Sequence, residues 1–374
     1  MNRADTVIIG AGLMGAATAL NLALAGKKVI LLEKEVSGIH ASAVNAGGVR
    51  RLNRAFAEIP ISAAAGEMWP RLEKLVGDDC GFHAVGQVRI APGKNELEQL
   101  SKRVAKVRAL GFEHEELIDE AEVRRLVPAY GGSCSGGIVS RSDGHANPAR
   151  TVTAFVRAAV QAGVELQTRS QVSSILRTAE GFRIETTAGL TFHGETVVNC
   201  AGGWGKKVAA LVNEKLPVEA EALTMMVTAR MKRFLTPVVG VHGHKLSFKQ
   251  TENGTVVIGG GHRAKLDMGV EKNYVQIPEI RISANTVRKH FPIMQQSQIV
   301  RSWAGIEGMV PDGLPIISES RDVPGFFHVC GFSSHGYQLA PMIGRLAASM
   351  VQRQEPELPL QAFSLSRFSS EGAK

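Results

Sequence analysis

Residues 6–33, TVIIGAGLMGAATALNLALAGKKVILLE, constrain this chain more than any other stretch. A β-branched apolar run, Val7-Ile8-Ile9, breaks into Gly10, Gly12 and Gly15; an Ala/Leu-rich segment follows, and a second apolar run, Val29-Ile30-Leu31-Leu32, ends on Glu33. Runs this short suit buried parallel strands, and the segment between them suits a crossover helix. Gly10 permits the tight turn, Gly12 lets a pyrophosphate approach the backbone, and Gly15 lets helix and strand pack closely. The phosphates would lie at the helix N-terminus, where unpaired N–H groups and the helix dipole favour negative charge. Glu33 is placed to accept hydrogen bonds from a ribose, and its carboxylate repels the extra phosphate of an NADP-type ligand. The glycine spacing alone is weak evidence in a chain with 40 glycines. The strand before it, the helix after it and the terminal acid together make a dinucleotide site the reading.

Residues 6–26 carry no charge, so a signal peptide or membrane span competes for the same stretch. Asp5 in the would-be basic leader and Glu33 just beyond it argue for a buried strand and helix. No other segment approaches membrane-spanning length without charge. With 374 residues and 44% apolar content, two domains with substantial cores are expected. The net charge of +8 is spread among acids, as in residues 102–125, which suits a solvated surface and gives a nucleic-acid groove little support. Cys80, Cys134, Cys200 and Cys330 form no C-x-x-C. No local zinc or iron–sulfur motif and no metal site is expected, and a reducing cytoplasm fits; a ligand supplied from a neighbouring protomer stays open.

Residues 37–54 form a polar loop of small residues carrying His40, Ser42, Asn45, Gly47 and Gly48, then Arg50, Arg51 and Arg54. Free backbone N–H groups there suit close approach to a flat cofactor. Helical spacing over 55–75 is interrupted at Pro60 and Pro70, a strand is predicted over 82–91, and charged surface helices over 95–110 and 119–126. His145 and Asn147 cap a helix over 149–162. Strands follow at 165–169, 172–176, 181–186 and 191–193, then a third apolar strand breaks on glycines in ETVVNCAGGWG and returns the chain to its first domain. Alternating runs at 222–229 and 255–260 and a helix over 277–290 point to a mixed sheet flooring a substrate cavity. Near the C-terminus, a strand over 326–330, a glycine turn over 331–337 and a helix over 339–351 bring a second run of backbone N–H groups to the cofactor.

With VIIGAGLMGAATALNLALAGKKVILLE, VVNCAGGWG, WAGIEGMVPDGLPII and GFSSHGYQLAPMIG in this order, the chain resembles the D-amino-acid oxidase-like family of FAD enzymes. It looks most like the flavin-bearing β subunits of hetero-oligomeric sarcosine oxidases, opine dehydrogenases and hydroxyproline dehydrogenases. The resemblance implies an α/β fold, α+β overall: a Rossmann-like FAD-binding domain from residues 1–79, 140–212 and 303–374, and a mixed-sheet substrate domain from 80–139 and 213–302. It implies an extended, non-covalent FAD with its pyrophosphate over Gly10, Gly12 and Gly15 and its ribose on Glu33. The flavin ring is expected near Ala46, Gly47, Gly48, Ala201, Gly202 and the segment bearing Gly331, Gly336, Tyr337, Gln338 and Leu339; Lys34, Ser42, Val172 and Trp204 complete the expected cofactor contacts. The implied reaction is hydride transfer from the carbon bearing an amine, followed by imine hydrolysis. The implied partner is an α subunit carrying nucleotide or iron–sulfur groups, with an FMN at the interface as a further possibility. A self-sufficient oxidase releasing peroxide and a non-catalytic FAD-binding assembly or electron-transfer subunit are the alternatives.

Departures from the resembled pattern sharpen the expectation. Glycine oxidase-like members carry a substrate-clamping arginine where Glu307 stands, and monomeric sarcosine oxidase-like members carry a lysine where Gln338 stands. Arg50 or Arg51 is expected to take over carboxylate binding, and Glu307 to pair with a cationic part of the substrate such as a guanidinium, unless it is a structural salt-bridged residue. His335 would hydrogen-bond substrate or tune the flavin, or else be satisfied by backbone groups. Tyr337 would pack over the cavity and Trp303 would wall it. The catalytic set read here is therefore His335, Glu307, Tyr337 and Arg50. The tethering cysteine of monomeric sarcosine oxidases has no counterpart, while His40 falls near the histidine that tethers FAD in dimethylglycine dehydrogenase-like relatives.

Overall fold

The computed structural model describes residues 2–368; Met1 and residues 369–374, which fall inside the expected first-domain segments, lie outside them. The strand Arg3–Ile9 pairs in parallel with Val29–Leu32 on one side and Thr191–Asn199 on the other, so that Val7 faces Ile30 and Val197 in register. Alternate residues of these strands point to opposite faces, and both faces are apolar because both are covered. One face buries Ile8, Leu31 and Val198 against the helices Leu13–Leu24, Pro148–Gln161 and Gly336–Val351. The other buries Val7, Ile30 and Val197 with Phe182, Phe192 and Phe326. The spatial order is Ile316–Glu319, Phe326–Cys330, Thr191–Asn199, Arg3–Ile9, Val29–Leu32, Glu165–Gln167, with the hairpin Val172–Thr178 and Gly181–Thr186 hung on Thr191–Asn199. This is the Rossmann-like sheet the glycine motif requires.

The second sheet is mixed and runs Ile299–Met309, Glu219–Thr228, Val256–Asp267, Ser247–Gln250, Val238–Val241, Gln87–Ala91, Gly136–Ser140, Glu116–Ile118. Its outer face packs Val88, Ile90, Val239 and Phe248 against Val287 and Phe291 at the helix Ile277–His290. Of the four divisions expected between the domains, those at 139/140 and 302/303 fall inside strands of this sheet, Gly136–Ser140 and Ile299–Met309.

Three local expectations are corrected. Pro60 stands at the start of the helix Ile59–Met68 rather than interrupting one, because proline lacks an N–H only where none is needed. The strand expected at 191–193 runs over Thr191–Asn199; its first half alternates exposed and buried residues, Phe192 being fully buried, which masks its continuity with the apolar second half. The C-terminal helix begins at Gly336 and not at Leu339, so Tyr337 is a first-turn helical residue and not part of the turn, and Gln338 follows it in the same helix; Pro341 lies inside the helix.

Candidate active site

The two sheets enclose a bent cleft of two chambers. The outer chamber, about 320 Å³, is lined by Gly10, Gly12, Glu33, Lys34, His40, Val172, Ala201 and Trp204. The inner one, about 560 Å³, lies between the first-turn residues Leu13 and Met14 and the second sheet. Gly12, Ala41, Ser42, Cys200 and Gly202 border both, so the chambers meet at the N-terminus of the helix Leu13–Leu24.

Gly10 has a φ of 104°, and a Cβ on it would come within 2.6 Å of the Cys200 carbonyl oxygen; one on Gly15 would come within 1.9 Å of the Gly10 oxygen. These two glycines therefore serve packing, and Gly12, whose Cβ would meet only Ser42, its Oγ at 3.0 Å, keeps the passage between the chambers open. Ser42 Oγ accepts from the Leu13 N–H at 3.0 Å. The Glu33 carboxylate accepts from Ala11 N at 2.8 Å and Glu35 N at 3.0 Å, which fixes it at the end of its strand with lone pairs left for a ribose. Over the outer chamber, Glu271, in the turn between Val256–Asp267 and Lys272–Tyr274, binds Lys34, the Trp204 indole N–H at 2.7 Å and Lys207 at 3.1 Å. Lys34 lies 3.7 Å above the Trp204 ring, and the His40 ring 4.5 Å from it. His40 thus lines the outer chamber together with Glu33 and does not line the inner one.

The inner chamber is closed by a strained turn. Gly331, Ser333 and Ser334 have φ of 72°, 47° and 68°, two of them without glycine's freedom. The turn is held because Ser333 N donates to the Gly308 carbonyl at 3.0 Å and Ser333 Oγ accepts from Val310 N at 3.1 Å. Strain at this point places Ser334 against Glu307, whose carboxyl burial pushes up to about 7, opposed by hydrogen bonds from Ser334. Glu307 and His335 both line the inner chamber. Burial, then the charges of Arg50 and Arg54, drive His335 down to about 3, so its ring is neutral. Its Nδ1 is 3.8 Å from Glu58 Oε2, too far for a hydrogen bond, and both Glu58 oxygens lack a hydrogen-bond partner in a fully buried side chain.

Of the residues expected near the ring, Ala46, Gly48, Gly202, Gly331, Gly336 and Tyr337 line the inner chamber, while Ala201 lines the outer one. Gly47 is turned against Ala146, whose oxygen would lie 2.2 Å from an added Cβ. Gln338 and Leu339 line neither chamber. The Gln338 side chain is buried, accepting from Arg54 Nη2 and Ser62 Oγ, each at 3.0 Å. The Tyr337 hydroxyl is paired with Thr151 Oγ at 2.7 Å, which leaves its ring, and not its OH, to face the site. Arg51 turns away to Asp143 and Ser142, and the Trp303 indole donates to Val44 O at 2.7 Å. Asn147 caps its helix by accepting from Arg150 N. Arg50 lines the inner chamber, and so does Arg89, on the strand Gln87–Ala91. The sequence points to Arg54 only as one of the loop's three arginines, and sequence reading passed over Arg89, Glu58, Ser334 and Glu271 as site residues. Arg89 did leave a signal: it alternates with the fully buried Val88 and Ile90 and must therefore point to the opposite face.

Two chambers joined at a helix N-terminus, with a carboxylate at the ribose position, have the shape of a site for an extended dinucleotide. Residues 5–350 match the family described as DAO, FAD dependent oxidoreductase. The chain belongs to this family. As an FAD-dependent oxidoreductase it is 27% identical over 377 residues to glycine oxidase of Geobacillus kaustophilus, covering 98% of this chain and 97% of that protein. The crystal structure of glycine oxidase from that organism superposes with a TM-score of 0.87 over 99% of this chain and 100% of the other, at 24% identity, which establishes the shared fold. One of the opine oxidase subunits of Rhizobium meliloti is 26% identical over 387 residues, 100% of both chains. Mouse mitochondrial sarcosine dehydrogenase is 26% identical over 390 residues, 98% of this chain; the chain spans only 41% of that protein's length. The residues present fit such a group: Gly12 and the helix N-terminus would receive the pyrophosphate, Glu33 would receive the ribose, and the inner chamber would take the ring. Among the described residues no helix is long and apolar enough to cross a membrane.

Proposed function

We propose that this protein oxidises the CH–NH group of a secondary amine or amino acid, of the opine, hydroxyproline or sarcosine kind, as the β-type component of a hetero-oligomeric dehydrogenase. The observation that carries the reading is Glu307, a carboxyl opening into the inner chamber with no cation in ion-pairing range among the described residues. FAD, when bound, supplies the acceptor for the hydride leaving the carbon beside nitrogen. The chain's own task is to present that carbon with its nitrogen neutral. Glu307, with a pKa raised to the neutral range, attracts a substrate ammonium and takes one of its protons, and Ser334 holds the carboxyl in place. His335 stays neutral and offers a hydrogen bond without competing for that proton. The Tyr337 and Phe332 rings and Leu223 and Met225 of the second sheet exclude water from the chamber.

The β-type role is supported by the full-length likeness to an opine oxidase subunit and by four cysteines that stand far apart in sequence and form no C-x-x-C of the kind an internal iron–sulfur relay uses. The partner would then carry the onward acceptor, with an interfacial FMN as one form of it. The test is anaerobic mixing of the flavin-loaded chain with sarcosine, hydroxyproline, glycine and an arginine-derived opine, followed at the flavin bands and with an artificial electron acceptor. Bleaching and acceptor-dependent turnover are expected. Peroxide release in air at the same rate without any partner would favour the self-sufficient oxidase, and no bleaching by any amine would leave the assembly-subunit reading.

A further inference from the structure

The inner chamber holds two arginines with no acid in ion-pairing range among the described residues. Arg50 donates from Nη1 to the Leu52 and Asn53 carbonyl oxygens at 2.7 and 3.0 Å, and Arg89 donates from Nε to His242 Nδ1 at 3.3 Å. Neither guanidinium has a carboxylate within 4.0 Å among the described residues, although the neighbouring Arg51, Arg54 and Arg103 each do. Cationic groups drawn out of water without a counter-charge are unfavourable. Burial, then Arg50 and Arg103, lower Arg89 to about 10 with no acid opposing them; burial also lowers Arg50, opposed at longer range by Glu58, Asp143 and Glu115, so an anion between the two would relieve Arg89 above all.

Arg89 is also held in position. His242 accepts from it through Nδ1, and so presents its Nε2 hydrogen to Gln99 Oε1 at 3.0 Å, on the helix Lys94–Ala109. With Nε tied to His242, the Nη groups remain for a ligand. The strand register places Gly240 beside Arg89, and a Cβ there would lie 3.6 Å from Nη1; both residues line the chamber. Such a clamp matches a carboxylate, which accepts two parallel N–H bonds.

We infer that Arg89, with Arg50, forms the binding site for the substrate's carboxylate, and that His242, backed by Gln99, is its positioning residue. This rests on the functional reading above for the identity of the ligand and adds its class and orientation. The substrate is an amino acid, its carboxylate against the second sheet and its nitrogen toward Glu307, instead of an amine lacking a carboxylate.

The test reads binding without turnover. The flavin-loaded protein is titrated with a non-oxidisable heterocyclic monocarboxylate, pyrrole-2-carboxylate, and with its amide, following the flavin difference spectrum. The wild type is expected to respond to the carboxylate and at least tenfold more weakly to the amide. Arg89→Gln should weaken the carboxylate at least tenfold at unchanged FAD content, Arg89→Lys should recover part of it, and His242→Leu should raise KM several-fold with kcat little changed. Equal responses to acid and amide, or an Arg89→Gln protein indistinguishable from wild type for both, would overturn the assignment. A wild type that binds the carboxylate through Arg89 yet is bleached by no amine would overturn the functional reading and keep the site.

Discussion

Arg54 Nη2 donates to Gln338 Oε1 at 3.0 Å across 284 residues of sequence, both side chains buried. The same guanidinium donates through Nη1 to the His335 carbonyl at 2.6 Å and through Nε to the Arg50 carbonyl at 2.8 Å. One side chain therefore ties the loop after the glycine pair to the helix that closes the inner chamber, and holds His335 and Arg50 in a common frame.

Replacing Arg54 by Met should remove all of these bonds and leave Glu58 without its nearest cation, 3.9 Å away. A loss of about 3–5 kcal/mol is expected for breaking a buried charged network, read as a fall in the denaturation midpoint of the holoprotein. Gln338→Lys, which restores the residue found in monomeric sarcosine oxidase-like sequences, should also destabilise, because it sets a second cation against Arg54. An unchanged midpoint in both variants would show that the network carries little stability.

Glu307 predicts a pH profile. Its carboxylate form is the proton acceptor and its pKa is about 7 in the folded chain, so kcat/KM should rise as pH increases through 7. Glu307→Gln should abolish that limb and lower the plateau by roughly 10²-fold. His335, neutral down to about 3, cannot generate the limb, so its persistence in Glu307→Gln would remove Glu307 from the reaction.

Glu33→Ala should release FAD before it affects the fold. The change strips acceptors from Ala11 N and Glu35 N and removes the ribose contact. A loss of about 1.4 kcal/mol or more, a tenfold rise in the FAD dissociation constant, is expected by fluorescence titration of the apoprotein.

His40 lines the outer chamber with Glu33, beside Trp204 and Glu35, and not the inner chamber proposed for the flavin ring. Acid precipitation should therefore leave the flavin in the supernatant, for the wild type and for His40→Ala alike. Flavin retained in the wild-type pellet and lost from that of the variant would reverse this.

Lys249 is buried, and burial lowers it from 10.5 to about 7. Its folded pKa is depressed, so stability present above 10.5 is lost as pH falls toward 7. Lys249→Met should raise the melting temperature, by roughly 1–3 kcal/mol in stability terms, with a gain that grows as the pH is lowered from 10.5 to 7. A variant that melts lower at pH 7 would point to a bound anion or a functional role for the amine.

The strand–glycine–helix start, the helix Ile277–His290 and the strand Phe326–Cys330 were legible in the sequence because each is local. A period of two or 3.6, a glycine where φ must be positive and an acid at a strand end are decided by neighbours along the chain. The same holds for the neighbourhood of Gly12 and Glu33, which both line the outer chamber. What only the tertiary structure decided is the direction in which polar side chains point. Arg50, Arg51 and Arg54 stand within five residues, yet Arg50 lines the chamber with no acid in ion-pairing range among the described residues, Arg51 pairs with Asp143, and Arg54, also at the chamber wall, is buried against Gln338. Gln338 and the Tyr337 hydroxyl, close to His335 in sequence, turn to the core because the helix begins at Gly336 and its next residues face Arg54 and Thr151. Arg89 and Glu307 come from strands at different places in one sheet, and their meeting across a single cavity depends on strand order and register. Those follow from the burial of both sheets together, a long-range balance that no local pattern of residues records.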